Sequence, residues 1–128
     1  MSTQPVERRK YPRISQDLPI RVAINGYDFM TSTSNISCTG AYCRIKKYLP
    51  PFTRVLVRLT LPIMNEIRNT FYDVSCKGVI VRSEDNEAAG DFNIAIFFNN
   101  IKETERKKIA QYVNQFLPHG HSTGSSRR

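Results

Sequence analysis

The chain has 128 residues, 40% of them hydrophobic, which suits one globular domain with a single core. No stretch approaches the roughly 20 apolar residues of a membrane span, and no apolar segment follows the first charges as in a secretory signal, so we expect a cytoplasmic protein. The formal net charge is +8, concentrated in residues 7–13 and in Arg127 and Arg128, and this favours a local anion clamp over a broad nucleic-acid face.

The first segment is a basic arm. Residues 1–6 are expected to be flexible, and Pro12 keeps residues 8–14 extended or turning because proline removes a backbone donor and disfavours helix before it. This arm leads into the first predicted strand.

Six segments have the residue pattern of β-strands. Residues 18–24 alternate apolar and polar side chains, which predicts a strand with one buried face. Asn25-Gly26 then predicts a tight hairpin turn, and the turn formers in 34–40 predict a loop. The predicted strands cover residues 18–24, 27–31, 41–45, 55–61, 71–81 and 92–98.

Three features mark the later strands. Pro62 is predicted to close the fourth strand, and Gly78 predicts a bulge or a close backbone approach in the fifth. The acidic, polar residues 84–90 predict a loop before the last strand.

The pattern changes to helical spacing at the C-terminal end. Ile109, Tyr112, Val113 and Phe116 lie at i, i+3, i+4 and i+7, which predicts an amphipathic helix over 103–117. Residues 118–128 are expected to form a flexible tail. The whole pattern predicts a mainly β protein, a small antiparallel barrel or curled sheet with one helix over an open face or end.

Cysteine and histidine positions argue against a metal site or a disulfide framework. Cys38, Cys43 and Cys76 are odd in number and lack C-x-x-C spacing, so free thiols in or near the core are expected. A Cys38–Cys43 disulfide is the less favoured alternative, since nothing indicates export. Both histidines lie in the tail, and no nucleophile–base pair is evident, so we expect neither a metal, a cofactor nor catalysis.

The arm contains the first candidate binding motif, Arg9-x-x-x-Arg13, flanked by Arg8 and Lys10. Guanidinium groups donate to phosphate oxygens in a fixed fork and stack on purine rings. A dinucleotide offers both phosphates and purine faces. The alternative is a solvated basic arm or a non-specific nucleic-acid contact.

The second candidate motif is Asn35-x-Ser37-x-x-Gly40. Asparagine and serine side chains donate and accept hydrogen bonds at a base edge, and glycine allows a close backbone approach or a positive φ. The alternative is an ordinary turn between two strands.

These two motifs, in this order and spacing, resemble the paired R-x-x-x-R and [D/N]-x-S-x-x-G motifs of the PilZ family. The strand around Gly78 and the last strand and helix are similar too, so the resemblance spans residues 7–117. It implies a six-stranded antiparallel β-barrel and a stand-alone domain that binds the bacterial second messenger cyclic di-GMP. By this resemblance Arg9 and Arg13 hold phosphates and guanines, Asn35 and Ser37 read guanine edges, and Gly40 permits the backbone path.

Two positions refine that expectation. Asn35 stands where many family members have aspartate, and an amide accepts with one oxygen only, so weaker binding is expected. Arg8 precedes the first motif, and the resemblance implies that it permits a pair of intercalated ligand molecules.

The resulting hypothesis is a non-enzymatic receptor that relays the signal to an unidentified downstream protein when the ligand orders the arm. One alternative is a PilZ adaptor that binds no nucleotide. Another is a small basic barrel that binds nucleic acid, which is disfavoured because the strands lack regular interleaving of basic and aromatic residues.

Overall fold

The computed structural model describes residues 12–64 and 70–117, and these form six strands and one helix. Every strand pairing is antiparallel, and the strands close into a barrel in the order β1-β2-β3-β6-β5-β4. The elements are β1 Pro19–Ile24, β2 Tyr27–Ser37, β3 Gly40–Ile45, β4 Arg54–Ile63, β5 Thr70–Asn86, β6 Asp91–Asn100 and α1 Glu103–Asn114. The predicted six-stranded barrel with a C-terminal helix is confirmed.

Alternation of side chains gives the barrel its core. Along β4 the apolar side chains of Val55, Val57, Leu59 and Leu61 are buried while the residues between them are exposed or half-buried. The β1–β2 hairpin turns at Asn25 and Gly26, whose φ values are 41° and 87°. Positive φ at both central positions matches the right-handed twist of the strands and confirms the predicted tight turn.

Two strands run further than predicted. β2 continues through Asn35 to Ser37, so the predicted loop over 34–40 was wrong for most of its length. A register shift between Thr33 and Asn35 absorbs one extra residue as a bulge, and pairing with β3 resumes beyond it. β5 likewise continues to Asn86 through two register shifts opposite β6, which shortens the predicted 84–90 loop.

Pro62 lies inside β4 instead of closing it. Pairing of β4 with β1 ends at Leu59, and pairing of β5 with β6 begins only at Lys77. The β4–β5 hairpin therefore extends past the barrel. Pro62 has no N–H, but β4 no longer pairs with β1 at this position, so the proline costs no hydrogen bond to β1.

Helix α1 covers the protruding hairpin and satisfies its free backbone groups. Glu105 Oε1 accepts the Ser75 N–H at 3.0 Å, and Lys108 Nζ donates to the Asp73 carbonyl oxygen at 3.0 Å. At the other end, the Gln115 amide accepts the Met64 N–H at 2.7 Å and donates to the Pro62 carbonyl oxygen at 3.3 Å. These side chains take the place of a neighbouring strand.

The helix is shorter than predicted and ends at Asn114. Ile109, Tyr112 and Val113 are buried against the barrel as predicted, but Phe116 lies after the helix and is 44% exposed. The predicted flexible segments 1–6 and 118–128 lie outside the described residues.

All three cysteines are free and buried, which confirms the predicted thiols and rules out the Cys38–Cys43 disulfide. Burial raises the pKa of Cys43 and of Cys76 to about 12. Within residues 12–64 and 70–117, no cluster of three or more His, Cys, Asp or Glu side chains has the geometry to hold a metal ion. No helix of those residues is long and apolar enough to cross a membrane.

Candidate ligand-binding site

The segment before β1 is fixed to the edge of β2. Ile14 exchanges two backbone hydrogen bonds with Ile36, at 3.0 and 2.9 Å. The buried Thr33 hydroxyl donates to the Gln16 carbonyl oxygen at 2.6 Å and accepts the Leu18 N–H at 3.0 Å. Because β1 pairs with β2 only as far as Pro19, this segment completes the edge of β2 beyond it and brings Arg13 to the barrel surface.

Arg13 joins the two sequence motifs. Its Nη1 donates to Asn35 Oδ1 at 2.8 Å, and its guanidinium carbon lies 5.2 Å from the centre of the Tyr42 ring. Asn35 and Tyr42 are directly opposite each other in the β2–β3 pair, so they project from the same face. The three side chains form a contiguous cluster of a cation, an amide and an aromatic ring.

Ser37 has a different position from the one expected. Its side chain is fully buried, and its hydroxyl accepts the Thr39 N–H at 3.1 Å and contacts the Thr39 hydroxyl at 2.9 Å. The Thr39 carbonyl oxygen in turn accepts the Phe98 N–H at 2.9 Å. Ser37 thus fixes the two-residue turn between β2 and β3, and that turn is tied to β6.

Gly40 is required by a close backbone approach. A Cβ atom added there would overlap the Ile96 carbonyl oxygen of β6. Gly40 does not have a positive φ. Of the two predicted reasons for a glycine here, a positive φ or a close backbone approach, the structure therefore shows the close approach.

The outer face extends from this cluster across the barrel. Tyr42 is opposite Ala95 on β6, and Ala95 is opposite Arg82 on β5. One row of side chains therefore crosses four strands, in the order Asn35, Tyr42, Ala95 and Arg82. The small side chain of Ala95 separates Tyr42 from Arg82, which is exposed.

Sequence reasoning named Arg13, Asn35, Ser37 and Gly40 as candidates and did not name Tyr42, which lies in the same cluster. The available signal was the hairpin register, since a two-residue turn after Ser37 places Tyr42 opposite Asn35. The structure brings Arg13 and Asn35 together, and Ser37, two residues further along β2, lies opposite Gly40 on β3. Arg8 and Arg9 lie outside the described residues.

A family model of the PilZ domain matches residues 7–115. The chain belongs to the PilZ domain family. PilZ domains form a family of cyclic di-GMP receptors, and they are binding or adaptor domains and not enzymes. Some PilZ proteins do not bind nucleotide.

Among the solved structures similar to this chain are two that share its fold. The Bacillus subtilis inhibitor of motility (MotI/DgrA) matches with a TM-score of 0.71 and 16% identity, covering 84% of this chain and 50% of that one. This chain therefore spans about half the length of that protein. The PilZ domain with c-di-GMP of YcgR from Escherichia coli matches with a TM-score of 0.53 and 13% identity, covering 84% of this chain and 90% of that one. A comparison with curated proteins finds no significant match.

Proposed function

We propose that this PilZ domain is a non-enzymatic cytoplasmic receptor for cyclic di-GMP. The observation that carries the proposal is the 2.8 Å bond from Arg13 to Asn35, because it joins the two motifs at one surface point. The domain extends over 7–117, and its proposed binding residues are Arg8, Arg9, Arg13, Asn35, Ser37 and Gly40.

Arg13 and Asn35 contact the ligand directly in this proposal. The guanidinium of Arg13 is held over the Tyr42 ring, with most of its N–H donors available to a phosphate or a guanine. Asn35 Oδ1 has two lone pairs, and Arg13 occupies one of them. The second lone pair and the amide N–H groups are available to a guanine edge.

Ser37 and Gly40 contribute through the backbone. Since the Ser37 hydroxyl is buried in the turn, its role is to fix Thr39 and not to read a guanine edge through its side chain. Gly40 lets β3 lie close to β6. Together they keep Asn35 and Tyr42 in register on one face.

The arm supplies the remaining contacts and the signal. Arg8, Arg9 and Lys10 repel one another and the fixed Arg13 until ligand phosphates neutralise them, so the ligand orders the arm before Arg13 across the barrel. The ordered arm is a new surface for a downstream protein. In the same proposal, Arg8 adds a cation for two intercalated ligand molecules. Amide hydrogen exchange of residues 7–15 is expected to slow on ligand addition.

Calorimetric titration of cyclic di-GMP tests the receptor proposal. Arg13→Ala is expected to weaken binding by about ten-fold or more, since charge-assisted hydrogen bonds are lost. Arg58→Ala is the matched control, because it removes the same charge from an exposed position on β4. A linear GMP dinucleotide serves as the ligand control, and the measured stoichiometry tests the role of Arg8.

Two outcomes would contradict the proposal. Equal affinity in Arg13→Ala and Arg58→Ala would mean that the arm cluster does not hold the ligand. Absence of binding to the unmodified protein at moderate salt would point to a nucleotide-independent adaptor, and salt-sensitive binding of any oligonucleotide would point to a nucleic-acid-binding barrel.

A further inference from the structure

A second cationic surface lies on the outer side of β4. Arg54, Leu56 and Arg58 are exposed and alternate with buried valines. Arg21 on β1 is directly opposite Arg58, and Lys77 on β5 is directly opposite Leu56. We call these five residues the β4 face.

The charges of the β4 face are poorly compensated. Like charges directly opposite in a β-pair destabilise it, and Arg21 and Arg58 are such a pair. Arg21 has Asp28 at 3.6 Å. Among the residues that the structure describes, no carboxylate lies within ion-pair distance of Arg54, Arg58 or Lys77. A surface of this kind gains from an anionic partner.

Three grooves border the β4 face, and its centre is apolar. A groove of about 750 Å³ borders Arg54, Leu56 and Lys77, one of about 430 Å³ borders Arg21 and Arg58, and one of about 630 Å³ borders Leu56, Arg58 and Lys77. Leu56 is 55% exposed in the middle, and Met30, beside Arg21, is 60% exposed. Arg54, Arg58 and Lys77 therefore flank the exposed Leu56. The carboxylates of Asp73 and Glu105 line two of the grooves, where they accept hydrogen bonds from Thr60 and Ser75 respectively, and Glu105 also pairs with Lys108.

We propose that the β4 face docks an acidic segment of a partner protein in which two carboxylates flank an apolar side chain. Side chains on one face of a strand repeat about every 6.8 Å, so Arg54, Leu56 and Arg58 match an extended Glu-x-Leu-x-Glu segment residue for residue. The match pairs each carboxylate with an arginine and the apolar side chain with Leu56.

Shape and composition favour a protein segment over other polyanions. The five residues of the β4 face include no aromatic ring on which nucleic-acid bases would stack. The grooves beside β4 suit an inserted chain and not a flat membrane surface. An apolar side chain of a protein segment also complements the exposed Leu56, which a phosphate backbone does not.

This docking surface is separate from the proposed ligand site. In the closed order of strands, β4 lies opposite β3, which carries Tyr42. The core of the barrel separates the two surfaces, so the acidic segment and cyclic di-GMP bind without competing. The inference goes beyond the proposed function and does not require it.

Fluorescence anisotropy tests the docking surface without ligand. The probe is a fluorescein-labelled peptide with two Glu-Ser-Leu-Ser-Glu repeats, titrated at low salt. Arg54→Ala/Arg58→Ala is expected to weaken peptide binding by about ten-fold, from the loss of two ion pairs. Arg44→Ala/Lys46→Ala is the matched control, since it removes two exposed cations from β3 and its flank and leaves binding unchanged. Replacing leucine by serine in the peptide also weakens binding.

Equal affinity of the two double variants, or no binding of the peptide to the wild-type protein, would overturn the inference. Tighter binding of single-stranded DNA or of anionic vesicles than of a peptide of equal charge would reassign the surface to that polyanion. Addition of saturating cyclic di-GMP as a second arm is expected to leave the anisotropy unchanged, and a loss of peptide binding there would contradict the separation of the sites.

Discussion

Replacing Gly40 with alanine tests whether this motif glycine serves the barrel or the ligand. The new Cβ would overlap the Ile96 carbonyl oxygen and lie 3.4 Å from the Ile96 carbonyl carbon and 3.5 Å from Phe97 Cα. All of these are backbone atoms, so no side-chain rotation relieves the overlap and β3 has to separate from β6. Overpacking of this kind costs about 1–3 kcal/mol, and we expect the upper end because backbone has to move.

Gly78 provides the matched comparison on the other side of β6. A Cβ there would lie 2.8 Å from Ile96 Cγ2 and 3.1 Å from the Phe97 carbonyl oxygen. Both approaches are longer than the overlap at Gly40, and the nearer one is to a side-chain methyl group and not to backbone, so Gly78→Ala is expected to cost less, about 1 kcal/mol. At about 4 °C per kcal/mol, a value between those for 60–100-residue and 150–250-residue domains, Gly40→Ala is expected to melt about 8 °C below Gly78→Ala.

Thermal and urea unfolding followed by circular dichroism measure this difference. Gly90→Ala is a useful control for backbone strain alone, because Gly90 has a φ of 73° and no atom within 4 Å of an added Cβ. It is expected to lose about 1 kcal/mol. A Gly40→Ala protein that unfolds like the wild type while losing only ligand affinity would refute the steric argument.

Three further predictions concern the helix and the core. Partial burial raises the pKa of Glu105, but the Ser75 N–H and Lys108 outweigh it and hold that pKa below its usual value. The stabilising contribution of Glu105 is therefore present above about pH 4.3 and is lost as pH falls through the folded pKa. The difference in unfolding free energy between wild type and Glu105→Gln is expected to vanish in acid. Gln115→Ala is expected to cost about 1 kcal/mol, since it removes the bonds to Pro62 and Met64, and to speed amide exchange at Met64. The three buried thiols are expected to resist a disulfide reagent at pH 8 in the native protein and to react on unfolding, and fast native labelling would contradict their burial.

Strands with a strict period were predictable from the sequence. The alternation from Val55 to Leu61 identifies β4 directly, because one face is buried along its whole length. The end of β2 was not predictable in the same way. Asn35 and Ser37 are common turn residues, and only their pairing with Tyr42 and Gly40 keeps them in a strand.

The candidate site was partly predictable for the same reason. Each motif is contiguous in sequence, so Arg13 and Asn35 were identified from residue type and spacing. The contact of Arg13 with Tyr42 depends on the length of the β2–β3 turn. The predicted loop over 34–40 hid this turn length, so the contact could not be predicted. The β4 face depends on barrel closure for Arg21, which the pairing of β1 with β4 brings from a distant part of the chain, whereas Lys77 comes from the neighbouring strand of the β4–β5 hairpin.

The two arginines of the first motif have different energetic roles in the proposed receptor. Arg13 is positioned by the fold, because its neighbour Ile14 is bonded to Ile36 and its own side chain to Asn35. Little conformational entropy is lost when it meets a ligand. Arg9 is four residues away, and an extended chain of four residues spans at most about 14 Å. The guanidinium of Arg9 can therefore reach a ligand within that distance of Arg13 plus the length of the Arg9 side chain. Ligand affinity then depends on the register that fixes Arg13 and Asn35. A change that separates β3 from β6, such as Gly40→Ala, is therefore expected to weaken binding without touching a ligand atom.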